Sequence, residues 1–153
     1  MTPRILYIDH EDMGRLTLGD FLRDGGFEVV LAATVDEALE RLRADAPDVV
    51  VVDPHLPGQD AWAMLEALSG TCGSLPMVIL TWELGRLEGL MPVRPGRDSG
   101  WIFLAKPVWD MGIVRHAVQS LLGLPEVSAS RRGWRKTSRR IVQYRPTQQG
   151  ERE

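Results

Sequence analysis

Four apolar runs in this chain end in a side chain that can do chemistry. RILYI (4–8) leads into Asp9, VVVV (49–52) into Asp53, MVIL (77–80) into Thr81 and WIFLA (101–105) into Lys106. Four consecutive valines suit a strand buried on both faces. Pro54, Pro57 and Gly58 then stop that strand just past Asp53. Gathered in one place, two carboxylates, a hydroxyl and an ammonium would suit a phosphoryl group and a hard cation. Carboxylates hold Mg²⁺, hydroxyl and ammonium groups hold phosphate oxygens, and a carboxylate can be the nucleophile.

These ends meet only if the strands lie parallel in one sheet, and the pattern between them predicts that arrangement. Leu16, Leu18, Phe21 and Leu22 fall at mainly helical spacing, and Gly25-Gly26 ends that helix. Residues 27–31 read as a second strand. Residues 36–42 read as a second helix, with acids in the first turn where the dipole favours them, and AWAMLEAL (61–68) as a third. Asp110 can cap a last helix bearing Val114, Val118, Leu121 and Leu122 on one face. Strand–helix alternation at this pace predicts an α/β, doubly wound, flavodoxin-like sheet. Five parallel strands in the order 2-1-3-4-5 are expected, with helices on both faces. The helix expected between the fourth and fifth strands must be irregular or short, because Gly85, Gly89, Pro92, Pro95 and Gly96 interrupt it.

Charge divides the chain. Residues 1–123 hold 18 acids and 10 bases, whereas 124–153 hold 3 acids and 8 bases. The expected organisation is one domain over 3–123 and a flexible basic tail over 124–153. The tail interleaves Trp134 and Tyr144 with its arginines, a composition able to bind nucleic acid through phosphates and stacking. It could also stay solvated or fold back on the acidic body. No run approaches the length of a membrane span. The opening residues lack a signal peptide's apolar core, and the single Cys72, in a Gly/Ser-rich stretch, fits a reducing cytoplasm. No Gly-rich dinucleotide fingerprint, phosphate-cradling loop or nucleophile elbow is present, so an independent metabolic enzyme is not expected.

With RILYIDHED, PDVVVVDPHLPGQDA, PMVILT and FLAKP in order and at matching spacings, residues 3–123 resemble the receiver domain of bacterial response regulators. The resemblance implies that Asp53 accepts a phosphoryl group in two-component phosphorelay signalling. It further implies that Asp9, Asp53 and the backbone carbonyl of His55 hold Mg²⁺, and that Lys106 partners the phosphate. Thr81 and Phe103 would be the switch residues. His55 and Glu83 would tune the phosphoryl lifetime, and Pro107 would follow a cis peptide bond. Implied partners are a histidine kinase or phosphotransfer protein, a downstream protein and a second copy of the chain.

Departures from the family pattern bear on the site. His10 stands where a second acid is usual, and imidazole matches a hard cation poorly, so weakened or lost metal binding is expected. Trp82 follows the switch Thr where a small residue is usual, and can roof the pocket. Ala61 replaces a Gly. Trp82, Trp101 and Trp109 around the fourth and fifth strands are of a type more often used for packing than for ligand contacts, yet their clustering suggests a protein-binding face. His116, on the last helix, is expected to be solvated. Three readings follow: a single-domain response regulator phosphorylated on Asp53, a phosphorylation-independent pseudo-receiver, and a receiver with a nucleic-acid-binding tail.

Overall fold

The computed structural model describes residues 2–72, 75–83, 100–108, 110–124 and 142–144. Its elements in chain order are β1 (Arg4–Ile8), α1 (Asp12–Asp24), β2 (Glu28–Ala32), α2 (Val35–Ala44), β3 (Val49–Val52), α3 (Ala61–Cys72), β4 (Met77–Thr81), β5 (Trp101–Ala105), α4 (Met111–Leu122) and β6 (Val142–Tyr144). The irregular helix expected within 84–99 lies outside the described residues, as do Trp109 and Trp134.

Five strands are parallel in the order β2-β1-β3-β4-β5, as expected, and β6 adds antiparallel to the β5 edge. The reading of 124–153 as a flexible tail did not include this strand. Pairing sets Trp101 opposite Tyr144, Ile102 opposite Gln143 and Phe103 opposite Val142. Apart from Leu124, the rest of the tail lies outside the described residues.

Both faces of the sheet are buried, which is why β3 and β4 read as continuous apolar runs rather than alternations. One core layer packs Leu6, Ile8, Val50, Val52, Ile79 and Phe103 against α2 and α3. The other packs Ile5, Tyr7, Val49, Val51, Val78 and Leu104 against α1 and α4. Neighbouring strand residues point to opposite layers, so every β3 valine is buried.

The caps of the last helix act at the residues that signal them in the sequence. Asp110 Oδ1 accepts from Gly112 N at 2.8 Å and starts α4, and Gly123 ends it in the left-handed conformation (φ 66°). Leu16 is half exposed, because α1 turns it away from the sheet while Leu18 and Leu22 face inward. His116 is buried, since α4 packs against both the sheet and α1. Trp101 is core, with its ring 6.4 Å from Trp62 and 6.2 Å from Phe103. Of the three tryptophans assigned to a protein-binding face, Trp82 is the described one that is exposed, at 64%.

Candidate functional site

The strand ends do converge. Asp9 and Asp53 follow the paired residues Ile8 and Val52 on the adjacent strands β1 and β3, and Asp53 N donates to Ile8 O at 2.9 Å. Each acid is only 3% exposed. A buried carboxylate is tolerated only with partners, and each oxygen of both acids has one. Asp53 Oδ1 accepts from His55 N at 3.0 Å, and Oδ2 is in direct contact with the Lys106 ammonium. Asp9 Oδ1 accepts from Glu11 N at 2.9 Å, and Oδ2 accepts from the Tyr7 hydroxyl at 2.7 Å.

Lys106 reaches Asp53 from β5, two strands away. Its backbone N–H donates to Thr81 O at 2.8 Å, and the Lys106–Pro107 bond is cis as the resemblance implied. Its ammonium also lies 5.8 Å from the centre of the Trp82 ring, within cation–π range. Trp82, 64% exposed, therefore lies beside the ammonium that pairs with Asp53.

Thr81 is fully buried at the end of β4. Its Oγ1 lies 2.6 Å from His55 Nε2 and accepts from Glu83 N at 3.0 Å, and His55 Nδ1 is 3.9 Å from Glu83 Oε2. The two lifetime-tuning candidates, His55 and Glu83, thus flank the switch hydroxyl on one side. Phe103 is buried two residues before Ala105, the residue paired with Thr81.

Tyr7 is a site residue that the sequence reading missed. Its hydroxyl pKa is pushed far above the ordinary tyrosine value, first by burial and then by the charges of Asp9, Asp53 and Glu11. The available signal was its place two residues before Asp9 on the same strand, which puts both side chains on one face.

His10 is exposed and lines a surface groove of about 450 Å³ with Thr34, Asp36, Leu56 and Gln59. Asp12 pairs with Arg15 at 2.6 Å, and Arg15 also donates to Asp9 O at 2.8 Å. Among the described residues no cluster of three or more His, Cys, Asp or Glu side chains is placed to hold a metal. The hard oxygen donors still fit Mg²⁺, which commonly takes one or two carboxylates plus waters. Asp9, Asp53 and the His55 carbonyl would hold it.

A sheet of this order with two acids, a hydroxyl and a lysine at its carboxyl rim defines a doubly wound domain with its site at the edge where such sheets bind ligands. The family model described as the response regulator receiver domain matches residues 5–93. The chain belongs to that family. It is 33% identical over 107 residues to response regulator MprA of Mycobacterium tuberculosis, covering 70% of this chain and 45% of the relative. It is 30% identical over 106 residues to transcriptional regulatory protein AfsQ1 of Streptomyces coelicolor, covering 69% of this chain and 45% of that protein. The chain therefore spans under half the length of these relatives. The receiver domain of hybrid histidine kinase CckA superposes with a TM-score of 0.61 at 27% identity, covering 78% of this chain and 98% of that one. The chemotaxis response regulator CheY4 of Vibrio cholerae shares the fold with a TM-score of 0.64 at 23% identity, over 79% of this chain and 99% of that one. This chain is a receiver domain of the two-component response regulators, a family that generally binds Mg²⁺ at the phosphorylation site. No helix among the described residues is long and apolar enough to cross a membrane.

Proposed function

We propose that the protein works as a single-domain response regulator that accepts a phosphoryl group on Asp53. The observation that carries this reading is the Lys106 ammonium held against the buried Asp53 carboxylate at the rim where Thr81 also ends its strand. An Asp53 carboxylate oxygen attacks the phosphorus of a phosphohistidine on a histidine kinase or phosphotransfer protein. The P–O bond forms, the P–N bond breaks, and the leaving imidazole nitrogen takes up a proton from solvent. Lys106 turns from the carboxylate to the new phosphoryl oxygens, and Thr81 offers its hydroxyl to another. A bound Mg²⁺ supplies further neutralisation of phosphoryl charge. The modification changes charge at the junction of β3, β4 and β5, and so biases Thr81, Phe103 and a face for a downstream protein or a second copy. In this reading the protein is cytoplasmic and catalyses nothing beyond its own phosphorylation and dephosphorylation.

The test is mass spectrometry after incubation with acetyl phosphate and Mg²⁺. One phosphate should be added, and Asp53→Asn should abolish the addition. An unchanged mass under saturating donor refutes the reading.

A phosphorylation-independent pseudo-receiver is the alternative, favoured by the complete pairing of both acids by protein donors and by the exposed His10. It requires partner binding that ignores both Mg²⁺ and Asp53→Asn. A nucleic-acid role for the tail requires salt-sensitive DNA or RNA binding that is lost on deleting 125–153.

A further inference from the structure

The switch hydroxyl is already engaged, and its main partner is a side chain rather than the acceptor site. His55 Nε2 lies 2.6 Å from Thr81 Oγ1, and the Glu83 N–H donates to the same oxygen at 3.0 Å. A threonine hydroxyl has one proton to give and two lone pairs to receive. If Thr81 donates to Nε2, that proton is committed to His55. If Nε2 carries the proton, Oγ1 receives from both His55 and Glu83, both lone pairs are used, and the hydroxyl proton is left to point along the one remaining direction. In either tautomer the orientation of the fully buried Thr81 hydroxyl is set by His55, whose own ring is 24% exposed.

His55 also touches the acceptor. Its backbone N–H donates to Asp53 Oδ1 at 3.0 Å. One residue therefore holds the Asp53 carboxylate through its backbone and the Thr81 hydroxyl through its ring. The Glu83 carboxylate, 3.9 Å from Nδ1, faces the ring's other nitrogen. We propose that His55 is a latch that holds Thr81 in its resting arrangement and must let go before Thr81 can bind a phosphoryl group on Asp53. His55 is thus a positioning residue, acting through Thr81, and the proposal rests on the reading of Asp53 as phosphoacceptor.

The measurement is the affinity of the full chain for beryllofluoride, a phosphoryl mimic, with Mg²⁺ present, by isothermal titration calorimetry. His55→Leu removes the hydrogen bond to Thr81 and should raise the affinity about three- to tenfold, the worth of one hydrogen bond. His55→Gln keeps an amide able to bond Oγ1 and should stay near wild type. In a Thr81→Ala background, His55→Leu should change nothing, because the latched group is gone. The latch is overturned if wild type binds and His55→Leu binds equally or more weakly. It is also overturned if the gain persists without the Thr81 hydroxyl. If no variant binds beryllofluoride, the phosphoacceptor reading itself fails and the latch with it.

Discussion

Lys106→Met tests the electrostatics on which the site depends. The substitution removes the ammonium and keeps an unbranched apolar stem. Lys106 is 14% and Asp53 4% exposed at the side chain, so the pair lies largely out of water. At a separation of about 3 Å and an effective dielectric of about 20, the gross attraction is about 5 kcal/mol. Much of that offsets the desolvation of both ions, so the net worth of the pair is far smaller. Removing one partner is a different perturbation, because it strands Asp53 beside Asp9 without the cation bonded to its carboxylate, and such losses cost about 3–5 kcal/mol. The expected result is therefore a loss of about 3 kcal/mol in urea unfolding at neutral pH, read from the midpoint with the slope unchanged. Asp53→Asn in the same chain should recover most of it, since the stranded charge is then gone. Added Mg²⁺ should stabilise Lys106→Met more than wild type, because binding to the folded state alone raises its stability. A loss below about 1 kcal/mol, or a double variant no more stable than Lys106→Met, would refute the argument that the ammonium neutralises a buried carboxylate.

Other outcomes follow from the same geometry. His10→Asp restores a second acid after β1 and should strengthen Mg²⁺ binding at least tenfold in a tryptophan-fluorescence titration; equal affinities would show that the imidazole costs the site nothing. The Tyr7 hydroxyl stays protonated in the folded chain because burial and Asp9 raise its pKa. Tyr7, one of two tyrosines in the sequence, should then give no tyrosinate absorbance near pH 10 before unfolding. The sign follows from linkage: a group whose folded pKa is raised contributes stability below its unfolded value of about 10 and loses it as pH climbs above that value. Titration of both tyrosines in the folded protein would contradict the buried Tyr7–Asp9 bond. Deleting 125–153 should speed amide exchange at the outer edge of β5, where β6 now pairs; unchanged protection would mean that β6 does not cover that edge in solution.

The parallel sheet was legible in the sequence because each strand between β1 and β5 must be apolar on both faces, and four of them end at a polar residue followed by a turn signal or a loop. The placement of Asp9, Asp53, Thr81 and Lys106 on one rim follows from that topology, since parallel strands bring all their carboxyl ends to the same edge. What strand order cannot carry is side-chain direction across that rim. Only the folded chain turned His10 outward to a groove, brought Trp82 over Lys106, and set the His55 ring against Thr81. Burial of Trp101, Tyr7 and His116 was decided in the same way. Whether an aromatic or imidazole side chain meets solvent depends on which helices pack over it, and those contacts join residues far apart in sequence. The β6 strand is the plainest case. Three residues of a polar, basic stretch carry too little periodicity to announce a strand, and it is the open edge of β5 that supplies their hydrogen-bond partners.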